Sequence, residues 1–198
     1  NSSLCGAFNT NVAKRLASIT AEYQEKGVKV AVMPVGKIIK EHLPQNVEVL
    51  KDDFNGFVDK PSYDVIMKYA DSMAYSFDNG DYDKIEFIYH HFKSSASQVL
   101  IRETYLPFIQ KEIPLLSVGE DVGSMKEHKP DYEVNYLIEP DRQTLIKAIV
   151  DKVIRFKLYT VFMDSIASEH AARTIAMQVA TDNADQLLQE LNIQYNKS

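Results

Sequence analysis

An α/β domain with one long helix projecting from its carboxy-terminal end is the architecture expected of this chain. From Asp141 to Ser198 there is neither glycine nor proline, the two residues that normally punctuate helices. A continuous helix over that run would be roughly 85 Å long at about 1.5 Å per residue. A compact domain of this size is only about 35 Å across. Upstream, β-branched stretches alternate with segments of helical periodicity, the order of a layered α/β domain. The expected organisation is a globular α/β domain over residues 1–140 and a long terminal helix over residues 141–198. The base of that helix would pack on the domain and its upper part would stand free as a coiled-coil shaft. A protruding helix of this length suits a mechanical part or a docking surface better than the wall of an active site.

The elements follow in order. After a small polar opening, Val12, Leu16, Ile19 and Tyr23 recur at helical spacing, with Thr10 or Asn11 as cap and Gly27 at the end. Residues 28–33 are rich in valine and predict a strand. Gly36 leads into a short helix over residues 37–43, stopped by Pro44, and residues 46–50 predict a second short strand. Ser62 caps a clearer helix in which Val65, Ile66, Tyr69, Ala70, Met73 and Phe77 share a face, and Asn79-Gly80 ends it. Residues 85–92 and 98–106 predict strands, joined by Ser94-Ser95-Ala96-Ser97 as an antiparallel hairpin. Residues 111–131 are irregular and polar, with Gly119 and Gly123, and residues 132–138 predict a last strand. Pro140 suits the first turn of the terminal helix, beside Glu139 and Asp141.

Within the terminal helix the apolar pattern changes along its length. Leu145, Ile149, Val153 and Phe156 repeat at helical spacing first. Beyond Ser165, alanines crowd in among larger residues: Ala167, Ala171, Ala172 and Ala176 with Ile175 and Val179. Small residues allow two helix axes to approach closely, so this seam expects a second helix beside it. The sequence contains no other helix of that length, so the partner would come from another chain or from a segment outside this one. The isolated chain is expected either to fray beyond Ser165 or to self-associate through this helix.

Composition narrows the function classes. Hydrophobic residues make up 45% of the 198 residues, enough for a packed core. The net charge of −6 disfavours nucleic acid as the main partner, which would demand a surplus of lysine and arginine. The single cysteine, Cys5, excludes an internal disulfide. No apolar run approaches the roughly 20 residues that span a bilayer, and the start does not read as a signal peptide. Asn1 in place of an initiator methionine predicts that the chain is a fragment.

Motifs for catalysis or cofactors are weak. His90 and His91 are adjacent on a strand, so their rings point to opposite faces and do not readily share a metal. His42, His128 and His170 stand alone. Cys5 has no base in sequence reach that would make it a nucleophile. Neither glycine-rich phosphate signature occurs, and Gly119 and Gly123 lie in a polar loop. Asp52-Asp53 and Asp81 with Asp83 read as solvated turns. Glu169 and Arg173, four apart on a helix, read as a surface ion pair. No catalytic residue, cofactor or metal is expected.

One resemblance covers nearly the whole chain. Ala167-Ser168-Glu169-His170-Ala171-Ala172-Arg173-Thr174-Ile175-Ala176-Met177, continuing through Ala180-Thr181-Asp182-Asn183-Ala184 and Leu191-Asn192-Ile193-Gln194-Tyr195, resembles the carboxy-terminal helix of the γ subunit of F-type ATP synthases. Leu4-Cys5-Gly6-Ala7-Phe8-Asn9-Thr10-Asn11 resembles that family's loop after its first strand, and Tyr136-Leu137-Ile138-Glu139-Pro140-Asp141 the segment before its last helix. The resemblance implies a Rossmann-like three-layer domain at the foot of a long antiparallel coiled coil, of which the terminal helix is half. It implies a non-catalytic central stalk that carries torque between a proton-driven c-ring and the catalytic ring of α and β subunits, and that also binds the ε subunit. The location implied is the cytoplasmic face of a bacterial plasma membrane, as a peripheral part of the complex. Tyr136 and Glu139 match positions on the c-ring side and Cys5 a position near the β subunits. The shaft seam would comprise Ala167, Ala171, Ala172, Ile175, Ala176 and Val179. Ser3 and Thr174 stand where the family usually has glycine and methionine. The family's amino-terminal helix, its first strand and the end of its last helix have no counterpart here. The plant-type insertion with paired cysteines is not seen either.

A second class of function predicts something different: a stand-alone α/β ligand-binding or enzymatic domain with a helical dimerisation tail would carry a concave pocket with converging polar groups. The shaft reading makes its own prediction at the seam. Ala176→Trp in the full-length protein is expected to oppose close helix pairing, since overpacking costs about 1–3 kcal/mol or more. Coupling of ATP hydrolysis to proton movement is the measurement, and unchanged coupling would place the seam elsewhere.

Overall fold

A computed structural model describes residues 4–44, 47–50, 61–108 and 137–197. Its first helix, α1 (Phe8–Glu25), buries Leu16, Ile19 and Thr20 on one face, and the Thr20 hydroxyl donates to the Leu16 carbonyl at 2.9 Å. The helix begins earlier than the sequence suggests. Ala7 stands in the cap position without a side-chain bond, so Thr10 and Asn11 lie inside the helix. Gly27 closes it with φ +68°, the left-handed geometry that glycine accepts without a Cβ penalty.

Two short strands follow, β1 (Ala31–Val32) and β2 (Glu48–Val49), paired in parallel with Ala31 opposite Glu48 and Val32 opposite Val49. The helix α2 (Lys37–Glu41) lies between them, as a parallel pair requires a crossover. Both strands are shorter than expected. The amide of Val28 is engaged in closing α1, donating to the Tyr23 carbonyl at 3.0 Å, which keeps the start of the valine-rich stretch out of the ladder. Helix α2 also stops short of residue 43, because the His42 amide turns back to the Ile39 carbonyl and Pro44 follows. Asn46 lies outside the described residues.

Helix α3 (Tyr63–Asp78) starts after Ser62, whose backbone is extended as a cap requires but whose hydroxyl makes no capping bond. Ile66, Met67 and Ala70 are buried, and Val65, Tyr69, Met73 and Phe77 pack beside them as the periodicity predicts. Strands β3 (Ile85–Ser94) and β4 (Ser97–Leu106) form the antiparallel hairpin, in continuous register from Glu86–Thr104 to Phe92–Gln98, with a register shift at each end before the Ile85–Leu106 and Ser94–Ser97 pairs. The turn is Ser95-Ala96 alone, two residues rather than four. Gln98 tightens it by donating from Nε2 to the carbonyls of Ser94 (3.3 Å) and Ser95 (2.9 Å).

Helix α4 (Arg142–Lys197) is continuous over 56 residues, about 84 Å at the standard rise. Its cap is Asp141: Oδ1 accepts from the amides of Gln143 (2.9 Å) and Thr144 (3.0 Å), and Oδ2 accepts from the Thr144 hydroxyl (2.7 Å). Pro140 therefore precedes the helix instead of occupying its first turn. The capping carboxylate meets the positive end of the helix dipole, and those hydrogen bonds hold its pKa below the ordinary aspartate value. Leu137 and Ile138 are not in a strand. The remainder of the expected last strand, and the polar stretch of residues 111–131, lie outside the described residues.

The core forms where α3, the hairpin and α4 meet. Ile66, Met67 and Ala70 from α3, Tyr105 and Leu106 from β4, and Leu158 and Phe162 from α4 make one buried cluster. Ala70 is fully buried, and its small side chain lets α3 and α4 approach closely. Beyond this seat α4 departs from the domain: Ala171, Ala172, Arg173 and Ala176 are half-buried, and every residue from 177 to 197 is exposed. The helix does not fold back, and its outer part stands about 30 Å clear.

The contrast between seat and rod predicts two outcomes. Leu158→Ala removes a side chain only 1% exposed and is expected to destabilise the chain by about 2–5 kcal/mol. Leu187→Ala, at a position 59% exposed, is expected to change stability by no more than about 0.5 kcal/mol. Urea unfolding of both variants checks this, and equal effects would mean that the seat is not the core.

Candidate functional site

The site that the tertiary structure builds is the seat of α4. On the helix, Leu158, Val161, Phe162 and Ser168 are buried, spaced three, four and seven apart so that they share one face. Polar ties accompany the apolar contact. The buried Tyr105 hydroxyl donates to the Ile154 carbonyl at 3.1 Å. Lys157 Nζ meets Glu103 Oε1 at 2.7 Å, and Tyr89 donates to Glu103 Oε2 at 3.2 Å. Arg155 Nε meets Asp71 Oδ1 at 2.8 Å, but both side chains are about half exposed, so this pair contributes little. Burial raises the Tyr89 and Tyr105 hydroxyls above the ordinary tyrosine pKa, with Glu103 adding to the shift at Tyr89. Both therefore remain protonated donors.

Higher on the seat, two side chains of α4 bind the backbone of β3. Asp164 Oδ1 accepts from the Phe92 amide at 3.1 Å, while Oδ2 pairs with His91 Nδ1. One turn further, the fully buried Ser168 donates from its hydroxyl to the His90 carbonyl at 2.9 Å. The two histidines divide as alternation in a strand requires. His91 reaches Asp164. His90 turns inward, 4% exposed, and stacks on Phe8 with ring centroids 4.0 Å apart. Among the described residues its Nδ1 has no hydrogen-bond partner. Among the described residues no group of histidine, cysteine and carboxylate side chains is arranged to hold a metal.

A second polar cluster fastens α1 to the hairpin. Arg102 pairs with Glu22 (2.9 Å) and Glu86 (3.0 Å) and lies over the Tyr23 ring, 5.2 Å from its centroid. Tyr23 donates to Glu86 at 2.9 Å, and Lys84 meets the other Glu86 oxygen at 2.6 Å. Partial burial favours the neutral acid at Glu86, but the hydrogen bonds from Lys84, Arg102 and Tyr23 outweigh it and hold the carboxyl below its ordinary pKa.

The residues singled out from the sequence are spread around this seat. Cys5 is 4% exposed just ahead of α1, and the Asn9 side-chain amide donates to its sulfur at 3.3 Å. Of the seam, Ala171, Ala172 and Ala176 are half-buried, whereas Ala167, Ile175 and Val179 face solvent. Glu139 is exposed in the bend before α4, and Tyr136 lies outside the described residues. The Glu169–Arg173 pair, at 2.5 Å, is not a surface pair, since its side chains are only 16% and 18% exposed. Asp164, Ser168 and Tyr105 were missed by the sequence reading. Asp164 is an isolated carboxylate in the pattern, and Ser168 hides in an alanine-rich stripe. The one available signal was phase: Ser168 lies seven residues after Val161, on the buried face.

A depression of about 390 Å³ lies between the end of α1 and the β1–β2 pair, flanked by Gln24, Gly27, Val28, Lys29, Val30 and Glu48. It is open to solvent, and none of these residues belongs to the seat. Among the described residues no helix is long and apolar enough to cross a membrane.

An α/β base that clamps one stretch of a long helix and leaves its outer part bare defines a stalk-bearing class of protein. The family model described as ATP synthase (ATP-synt) matches residues 1–198. The ATP synthase gamma chain of Phocaeicola vulgatus is 43% identical over 199 residues, covering 100% of this chain and 65% of that relative. The ATP synthase gamma chain of Bacteroides thetaiotaomicron is 42% identical over 202 residues, covering 100% and 66%. The chain belongs to the ATP synthase gamma-chain family. It spans just under two thirds of the length of these curated relatives.

Solved structures share the fold. The central stalk and c-ring of the Tetrahymena thermophila mitochondrial ATP synthase includes a chain matched with a TM-score of 0.55 at 16% identity, over 91% of this chain and 72% of that one. The rotor of the Euglena gracilis mitochondrial enzyme gives 0.53 at 15% identity, over 100% and 69%.

The buried histidine generates a pH prediction. Burial lowers the His90 pKa below the ordinary value of 6.5. The unfolded chain therefore takes up the proton more readily than the folded one. His90's contribution to stability is complete above about pH 6.5 and is lost as pH falls through the lower folded value. Urea unfolding followed across this window is expected to show falling stability on acidification. His90→Phe, which keeps a ring against Phe8, is expected to flatten that part of the profile, and an unaltered profile would assign the pH dependence elsewhere.

Proposed function

We propose that this chain forms part of the non-catalytic central stalk of a bacterial, proton-translocating F-type ATP synthase, the rotor that transmits torque between the membrane c-ring and the catalytic α/β ring. The observation that carries the reading is α4: one unbroken helix that enters the core at Leu158, Val161, Phe162 and Ser168 and whose last 21 residues, 177 to 197, are entirely exposed. A rod that its own domain does not cover is suited to couple neighbouring proteins. Membership in the gamma-chain family supports the same conclusion.

In this reading residues 1–140 form the foot and residues 141–198 the base and shaft of the terminal helix. The partners are the α and β subunits, the ε subunit and the c-ring. The place is the cytoplasmic face of the bacterial plasma membrane, held peripherally in the complex. Tyr136 and Glu139 face the c-ring and Cys5 lies toward the β subunits. Ala167, Ala171, Ala172, Ile175, Ala176 and Val179 line the seam of an antiparallel coiled coil. Small side chains along that seam keep the shaft narrow, and close helix pairing makes it stiff.

The test is assembly. The full-length gene product is expected to copurify with α, β and ε subunits, and a complex that assembles and couples normally without it would refute the assignment. Calorimetry of the isolated chain with ATP, ADP and NAD is expected to show no saturable binding at about micromolar levels, which correspond to roughly 8 kcal/mol. Such binding would favour a ligand-binding domain instead.

A further inference from the structure

Resting on the rotor reading, we propose that Asp164 and Ser168 are positioning residues that lock the shaft to the foot, so that torque passes through the backbone of β3. Three observations converge on this joint. Asp164 and Ser168 stand one turn apart on α4 and bind three consecutive residues of one strand: His90 through its carbonyl, His91 through its ring and Phe92 through its amide. Ser168 is the last fully buried residue before α4 leaves the domain. A bending or twisting load on a projecting rod is greatest where the rod emerges from its support. Among the described residues, the Arg155–Asp71 and Lys157–Glu103 ties lie lower on the helix and their side chains are a third to a half exposed, where solvent and salt weaken them.

The physical need for such a joint follows from the nature of the seat. Leu158, Val161 and Phe162 hold α4 by apolar burial, which is non-directional and permits a helix to roll or slide with little change in area covered. Hydrogen bonds are directional and weaken steeply once misaligned. Two of them, offset by about 6 Å along the axis, oppose both rolling and sliding. The Asp164 carboxylate, 18% exposed, accepts from a backbone amide that cannot move without the strand. A charged acceptor makes that bond stronger than a neutral one. Both residues act on the backbone of β3, whose ladder with β4 spreads the load into the hairpin.

The experiment uses the assembled synthase containing the full-length chain. Ser168→Ala removes one hydroxyl, Asp164→Asn keeps the acceptor for Phe92 but loses the charge, and Asp164→Ala loses both. ATP hydrolysis, ATP-driven proton pumping and the torsional stiffness of single rotors are measured on each. Asp164→Ala/Ser168→Ala is expected to assemble and hydrolyse ATP, while pumping per ATP and torsional stiffness both fall below those of the unmodified rotor. Asp164→Asn is expected to restore most of the stiffness. A merely structural role would lower thermal stability and yield but leave pumping per ATP and stiffness of the assembled rotors unchanged, and that result overturns the proposal. Should the double variant fail to assemble, Ser168→Ala alone decides, since unchanged stiffness there equally refutes the joint. Failure of the unmodified chain to assemble with α and β would instead refute the rotor reading itself.

Discussion

The structure depends on how the stretch of α4 from Ile154 to Ser168 is seated against α3 and the β3–β4 hairpin. Leu158 and Phe162 enter the same buried cluster as Ile66, Ala70 and Tyr105, so the helix that projects from the domain is also part of its core. This imposes a constraint. A helix of 56 residues is about twice as long as the domain is wide, and only its lower portion can find apolar partners there. Hydrophobic burial then fixes where the helix is attached, and the exposed remainder follows from its length alone.

Polar contacts at the seat refine what burial begins. Tyr105 reaches a helix carbonyl, Ser168 reaches a strand carbonyl, and Asp164 takes a strand amide. Each is a buried or half-buried group whose desolvation would be costly without a partner. They therefore favour one azimuth of α4 over others that would cover a similar apolar area. His90 behaves differently. Burial favours its neutral form, and it stacks on Phe8, joining α1 to the same corner through ring packing. The Arg102 cluster makes the second connection from α1 to the hairpin.

These features are the ones on which the proposed stalk role rests. The seat is rich in directional contacts, while the free portion of α4 carries Val179, Leu187, Leu188 and Leu191 in the open. An exposed apolar stripe along a helix is ordinarily an interaction surface.

Much of the architecture was legible in the residues. The uninterrupted terminal helix follows from the absence of glycine and proline, and α3 and the hairpin follow from apolar periodicity and short polar turns, because these signals are local. The resemblance to gamma chains likewise lies in contiguous strings of residues. Boundaries that depend on competing hydrogen bonds were not legible: Val28 is drawn into closing α1, and Asp141 caps α4, leaving Pro140 outside its first turn. Least visible was the joint itself. Nothing in the order of residues says that Ser168, amid alanines, meets His90, or that Asp164 meets His91 and Phe92. Those residues are separated by more than seventy positions, and only the packing of α4 across β3 brings them within hydrogen-bond distance. Local sequence determined which segments are helix and strand, whereas tertiary burial decided which polar side chains had to be satisfied and by which partner.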